Sequence, residues 1–125
     1  MKKIQFKVPV KIGGHDEVAY GFNNIATINV NVTGYAYRDS RLPGLKMVLH
    51  RDVKYPDSKY WYVSEFTTGL KIEMWDGTRE AAIERAIERT QNYIKSYGKD
   101  GYKKAIERCA VVNDSKYFPR NCMVR

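Results

Sequence analysis

Apolar and polar residues alternate along much of the first 76 positions of the chain, which is the period of a β-strand with one buried face. In the segment 3–12, KIQFKVPVKI, every second residue from position 4 onward is apolar, and Lys7 and Lys11 lie between. Pro9 cannot donate a hydrogen bond to a neighbouring strand, so this segment is predicted to be an edge strand. The clearest alternation follows in the segment 25–37, IATINVNVTGYAY.

Four further segments are predicted to be strands, at residues 17–24, 45–53, 60–66 and 70–75. The turn sequence YPDSK favours a hairpin between the two segments that flank it, and Gly69 separates the last two. The pattern therefore predicts six antiparallel strands, of which the last three form a meander.

The hydrophobic period becomes helical in the sequence TREAAIERAIERTQNYIKSYG. Thr78 is a suitable N-cap, since its hydroxyl can accept from a free amide of the first turn. Gly98 is suited to the C′ position, where the helix would end. A second helix is predicted to begin near Asp100, so that two helices occupy 78–110 and a basic, aromatic tail occupies 111–125.

Strands followed by helices predict an α+β fold, in which the helices pack on one face of an antiparallel sheet. The 125 residues, with 43% hydrophobic content, are expected to form a single domain, with the sheet in 1–76. Because two helices cover only one face, the other face is expected to meet solvent, a ligand or another subunit.

The net charge of +8 changes the expectation for partners. Such an excess attracts a polyanion or a phosphorylated small molecule, although it can also serve solubility alone. No segment approaches the roughly 20 apolar residues needed to cross a bilayer, and Lys7 and Lys11 interrupt any signal-peptide core. A cytoplasmic protein is therefore expected, with Cys109 and Cys122 reduced and no metal or cofactor bound.

Candidate catalytic groups are few. His15 and His50 are far apart in sequence, and no nucleophile elbow, phosphate-binding loop or metal-ligand spacing is present. The GGHD sequence at 13–16 is typical of a turn, and the pair Glu84 and Glu88 of a solvated helix face. An enzyme is not expected, and no catalytic residue is assigned.

The segment YWYVSEF carries aromatic side chains on both faces of its predicted strand. Trp61 and Val63 would point to one side, and Tyr60, Tyr62 and Phe66 to the other. These rings either form the core and a subunit contact, or some of them stack on a base, which is worth roughly 1–3 kcal/mol per base.

Several polar residues could bind an anionic ligand. Arg41 lies in the loop before the third clear strand, and Arg120 lies beside aromatic residues in YFPRN. Arg108 can grip a phosphate through two parallel hydrogen bonds, or simply suit the end of its helix. Asn92 could read a base edge. Each residue taken alone is typical of a surface, and a subset is expected to converge.

In length, in its order of strands and helices, and in the WYVSEFTTGLKI meander that leads into a helix, the chain resembles the Thoeris anti-defence proteins of phages. The resemblance implies a sponge that binds glycocyclic ADP-ribose signals, and in some relatives cyclic oligonucleotides, without cleaving them. It also implies a homo-oligomer. The pocket would hold ribose and phosphates through Asn92 and Arg108, and adenine through Trp75 or Phe118.

Alternative hypotheses are a small basic phage protein that binds nucleic acid, one that blocks a host nuclease such as a CRISPR effector, or an accessory protein without a ligand. The basic residues are spread through strands, loops and helices. This spread favours the sponge, because a DNA-binding protein more often gathers them in one helix or tail. The host cytoplasm is the expected location if a phage encodes the chain.

Overall fold

The computed structural model describes residues 1–12 and 26–125, in which the alternating segments form one antiparallel sheet followed by a long helix. The elements are β1 (Lys2–Ile12), β2 (Ala26–Tyr37), β3 (Met47–Arg51), β4 (Tyr60–Glu65), β5 (Lys71–Asp76), α1 (Arg79–Glu107) and a 3₁₀ helix (Ser115–Tyr117). The predicted α+β class is confirmed.

The strands lie in the order β1-β2-β3-β4-β5, and each pairs antiparallel with the next. The predicted meander is therefore confirmed. Six strands were predicted and five are present in the described part of the chain. The remaining predicted strand, at 17–24, lies outside the described residues, and so does His15.

The two helices predicted within 78–110 correspond to one long element, α1, whose two helical parts meet at a kink. Thr78 caps α1 as predicted, since its Oγ1 accepts from the Ala81 amide at 3.1 Å. Gly98 has the non-helical angles φ +77° and ψ 165°, but helical turns resume directly after it. The structure thus differs from the prediction in detail, because the two helical parts join at Gly98 with no loop between them, and α1 is a long helix kinked at that residue.

Two clusters of buried residues occupy the two faces of the sheet. On the first face, α1 packs over β4 and β5. This cluster comprises Tyr37, Leu42, Leu45, Met47, Leu49, Val63, Ala82, Ile83, Ala86 and Ile87. The helical residues recur every three or four positions, which is the spacing of one buried stripe.

The second face is covered in part by the C-terminal segment, where the sequence predicted only solvent, a ligand or a subunit. Phe118 and Cys122 pack there beside Phe6, Val48 and other buried residues. Arg38 anchors the segment, since its Nη1 donates to the Pro119 carbonyl at 2.9 Å and its guanidinium lies over the Phe118 ring.

Strands β1 and β2 pair over 11 residues, but β3 pairs only with the last four residues of β2, Gly34–Tyr37. The two strands thus form a long ribbon, hereafter the β1–β2 ribbon. Asn113 joins this ribbon to the end of β4. The Lys7 amide donates to its Oδ1 at 2.7 Å, and its Nδ2 donates to the Lys7 and Phe66 carbonyls at 2.8 and 2.7 Å.

The edge position predicted from Pro9 is confirmed, since β1 is the first strand of the described sheet. The backbone groups of Lys7 bond to Asn113 and so point away from β2. Pro9, two residues on, presents the same edge. An N–H at this position would point away from β2, so the proline costs the pairing of β1 with β2 no hydrogen bond.

Candidate ligand-binding site

A cleft of about 400 Å³ lies between the loop 41–45 and helix α1. This volume falls within the range of small-molecule sites, which are mostly apolar with a few polar groups. Leu42, Leu45, Ile94 and Ile106 supply apolar walls, and Thr90 adds a buried hydroxyl. The Thr90 hydroxyl already donates to the Ala86 carbonyl at 2.9 Å.

The bend in α1 shapes this cleft. Thr90 and Ile94 line it from the part of α1 before Gly98, whereas Tyr102 and Ile106 line it from the part after. The backbone angles of Gly98 therefore set how the two halves of the helix face each other. Its positive φ is a conformation that residues with a Cβ rarely adopt.

Two exposed lysines, Lys99 and Lys103, stand at the rim of the cleft. They are four residues apart, so they lie on the same side of the helix. Neither takes part in an ion pair with any of the residues described. Asp100 is the acidic residue beside them, which leaves a small positive excess at the rim.

Arg41 lines the cleft, but its guanidinium is engaged by two carboxylates. Its Nε and Nη2 donate to the Asp39 carboxylate at 2.9 and 2.8 Å, and its Nη1 and Nη2 donate to Glu84 at 2.8 and 2.9 Å. These hydrogen bonds hold the pKa of Asp39 and the pKa of Glu84 below their usual values. Arg41 thus has a structural ion-pair role in this structure and offers little free charge to a phosphate.

An aromatic cluster adjoins the cleft on α1. Tyr102 lines the cleft, and the Tyr93 ring packs edge-on against it with centroids 5.5 Å apart. Tyr97, which is 67% exposed, lies 4.7 Å from Tyr93. Burial raises the pKa of Tyr102 to about 12, so its phenol is neutral near pH 7.

The other predicted ligand residues lie away from this cleft. Asn92, Arg108 and Arg120 are exposed, and none of them lines it. Trp75 packs with the cluster under α1, and Phe118 packs with the cluster on the opposite face. The structure therefore brings Arg41 to the cleft and does not gather the six predicted residues around it.

The two predicted aromatic partners for adenine are also covered by other side chains. The guanidinium of Arg85 lies 3.7 Å from the centroid of the Trp75 ring. Phe118 is 3% exposed and packs edge-on against Phe66 at 5.1 Å. A base could stack on either ring only after these neighbours moved.

Sequence reasoning missed the residues that do line the cleft, among them Tyr102, Lys99 and Lys103. The signal was present as two lysines one turn apart, with a tyrosine between them, just after Gly98. These residues alone could not predict a cleft, because the loop that forms its opposite wall lies more than 50 positions earlier in the chain.

The aromatic segment YWYVSEF is largely structural. The Trp61 ring is covered by the Arg51 guanidinium at 3.6 Å, in a shallow recess at the start of α1. On the other face, the Tyr62 hydroxyl donates to Asp52 Oδ2 at 2.9 Å. The Phe66 ring packs between Phe6 and Phe118.

A histidine and a serine meet in the interior beside this segment. His50 Nε2 lies 2.7 Å from Ser64 Oγ, and Nδ1 lies 2.7 Å from the Arg51 carbonyl. A carbonyl only accepts, so we assign the proton to Nδ1 and the serine hydroxyl as donor to Nε2. Both residues are 1% exposed, so the pair is closed to a substrate and serves as a buried hydrogen bond.

Within residues 1–12 and 26–125, no three His, Cys, Asp or Glu side chains group closely enough to hold a metal ion. None of the helical segments in this part of the chain is both long and apolar enough to cross a membrane. No protein-family model matches the chain, and the comparisons with curated proteins and with solved structures found no match.

Proposed function

We propose that this protein sequesters an anionic, nucleotide-like signal molecule by binding it, without cleavage, in the cleft between the loop 41–45 and α1. The observation that carries the proposal is the cleft itself, whose apolar walls meet Tyr102 and two rim lysines that form no ion pair with the residues the structure describes. A nucleotide has the matching pattern, with a flat apolar base at one end and phosphates at the other.

The chemistry of the cleft supports this orientation of the ligand. Lys99 and Lys103 each carry three N–H donors and no acceptor, so they suit a pyrophosphate. The ring of Tyr102 and the side chains of Ile94 and Ile106 supply an apolar surface for a base. Arg41 holds the loop wall in place through its two carboxylate partners, Asp39 and Glu84.

The expected ligand follows from the resemblance to Thoeris anti-defence proteins. It is a glycocyclic ADP-ribose made by a bacterial immune sensor, with cyclic oligonucleotides as further candidates. Binding would lower the free signal below the level that the effector requires. In this proposal the protein acts in the host cytoplasm as a homo-oligomer.

The first experiment is a thermal-melt screen with ADP-ribose, its cyclic isomers, and cyclic di- and trinucleotides. A ligand that binds only the folded state at a hundredfold excess over Kd raises the unfolding free energy by about 2.7 kcal/mol. We expect one cyclic nucleotide to give a large shift, and to be recovered intact after the protein is denatured. Recovery of a cleaved product would contradict sequestration, and the absence of any shift would contradict the function.

A pair of variants locates the ligand. Lys99→Gln with Lys103→Gln removes two charges from the rim, and we expect Kd to rise at least tenfold, since each tenfold step corresponds to about 1.4 kcal/mol. Lys54→Gln with Lys104→Gln removes the same charge elsewhere and should leave Kd nearly unchanged. If both double variants lose affinity equally, binding depends on net charge alone and not on the rim lysines.

The residues carried over from the resemblance are tested in the same assay. Asn92→Ala with Arg108→Ala should have little effect if the ligand occupies the cleft, because neither residue lines it. If Asn92→Ala with Arg108→Ala abolishes binding while Lys99→Gln with Lys103→Gln does not, the ligand binds elsewhere and the cleft assignment is wrong.

A further inference from the structure

One face of the β1–β2 ribbon is polar and exposed over most of its length. Residues directly opposite each other in the two strands share a face, as the pairing of Lys7 with Asn31 and of Lys11 with Thr27 illustrates. The exposed members of this polar face are Lys3, Gln5, Lys7, Lys11, Thr27, Asn29, Asn31 and Thr33.

The ribbon carries charge of one sign. Strands β1 and β2 together contain four lysines and no aspartate or glutamate. Three of the lysines, Lys3, Lys7 and Lys11, recur every fourth residue and so lie on the polar face. At about 3.4 Å per residue they span roughly 27 Å, with about 14 Å between neighbours.

Helix α1 lies on the same face of the sheet but packs on β4 and β5, at the opposite edge from β1, so it leaves the polar face of the ribbon uncovered. The apolar face of the same ribbon is the one that packs inward, through Phe6 and Val8. The lysines therefore lie on a hydrogen-bonded strand pair and are exposed to solvent.

We propose that the polar face of the β1–β2 ribbon binds the backbone of duplex DNA. Duplex DNA carries one negative charge per roughly 1.7 Å, so a 27 Å row of lysines meets many phosphates. The major groove of B-DNA admits a two-stranded ribbon, where Asn29 and Asn31 can hydrogen-bond to base edges or phosphates.

The composition of this face selects a duplex over a single strand. Proteins that bind single strands stack successive bases on aromatic side chains. Among the described residues of this face, Tyr35, opposite Lys3, is aromatic but packs with the cluster under α1, and the positions from Gln5 to Lys11 and from Thr27 to Thr33 carry no aromatic side chain. An RNA duplex is disfavoured because side chains cannot enter its narrow major groove.

The test is fluorescence anisotropy with a labelled 20-base-pair DNA duplex between 50 and 200 mM salt. The triple variant Lys3→Gln, Lys7→Gln, Lys11→Gln should raise Kd at least tenfold at the lowest salt. It should also reduce the slope of log K against log salt by about 2.7, since each phosphate contact contributes about 0.9. The substitutions Lys54→Gln, Lys95→Gln and Lys104→Gln serve as the matched control and should change both quantities much less.

Equal effects of the two triple variants would overturn the proposal, since they would reveal a general charge effect. It is also overturned if the wild-type chain does not bind the duplex, or binds a single strand of the same sequence more tightly. Binding of phosphatidylserine vesicles that depends on the same lysines, without duplex binding, would assign the face to a membrane surface instead. The ribbon variant should retain the ligand-induced melting shift, which separates this result from the test of the cleft.

Discussion

The buried hydroxyl of Tyr37 has no hydrogen-bond partner within the described residues. An unpaired buried polar group loses its water without compensation, and burial raises the pKa of this phenol well above its ordinary value. We expect Tyr37→Phe to leave the free energy of unfolding unchanged or to raise it by up to about 1 kcal/mol. Urea denaturation measures the change.

Tyr62→Phe is the matched control for this substitution. The Tyr62 hydroxyl donates to Asp52, so its removal should lower the free energy of unfolding by about 1 kcal/mol. If Tyr37→Phe destabilises the protein as much as Tyr62→Phe, the Tyr37 hydroxyl has a partner, such as an ordered water.

His50 makes stability depend on pH. Burial lowers the pKa of His50, whereas in the unfolded chain it keeps its ordinary value of about 6.5. The unfolded state therefore binds the proton more readily, and stability falls as the pH drops below 6.5 until the folded-state pKa is reached. The loss is at most about 1.4 kcal/mol per pH unit from this group.

Urea denaturation at pH 7.5 and pH 5.5 tests this expectation. His50→Asn should be less stable at both values but should show a smaller loss between them. Ser64→Ala, which removes the hydroxyl but keeps the buried imidazole, should retain the wild-type pH dependence. An unchanged pH dependence in His50→Asn would mean that other groups, among them the remaining histidine, cause it.

At the scale of elements, the connection between β4 and β5 depends on one glycine. Gly69 has φ +66°, and a Cβ there would lie 2.5 Å from the Lys7 carbonyl oxygen. Gly69→Ala combines backbone strain with this clash, so we expect it to lower the free energy of unfolding by more than about 2 kcal/mol.

Gly44→Ala separates the two contributions in thermal or urea denaturation. Gly44 also has a positive φ, of +84°, but a Cβ there would have no atom within 4 Å. Gly44→Ala should therefore lower the free energy of unfolding only by the strain of the left-handed conformation, about 1 kcal/mol. Equal losses at both positions would show that the contact of Gly69 with β1 is easily relieved.

The elements that sequence predicted best are those whose own side chains determine them. The alternation in the segments 3–12 and 25–37 needs no distant partner, and neither does the Thr78 cap. Gly98 was predicted as the break and Asp100 as the start of a second helix, and the structure has helical turns on both sides of Gly98 without a loop between them.

At the scale of the whole molecule, prediction failed where residues distant in sequence meet. Arg41 was expected to be free for a phosphate, but Glu84, 43 positions later, shares its guanidinium with Asp39. The C-terminal segment has no hydrophobic period, and contacts with Arg38 place it across the second face. A candidate site built from single residues could not anticipate either result.

The net charge also has a different meaning once the chain is folded. Some basic side chains are neutralised locally, as Arg41 is by Asp39 and Glu84 and as Arg125 is by Glu80. The ribbon lysines and the pair at the cleft rim have no such partners within the described residues. Folding thus neutralises part of the charge locally and leaves two groups of lysines, on the ribbon and at the cleft rim, available to an anionic partner.

The side chain of Asn113 has the donor and the acceptor of a peptide group, and it presents both to Lys7 on the outer edge of β1. At that position it occupies the place that a strand of a second molecule would take. An open β-edge is a template for intermolecular strand addition and aggregation. Asn113 therefore blocks the middle of this edge strand against pairing with another molecule, beside the close approach of Gly69 to the same strand.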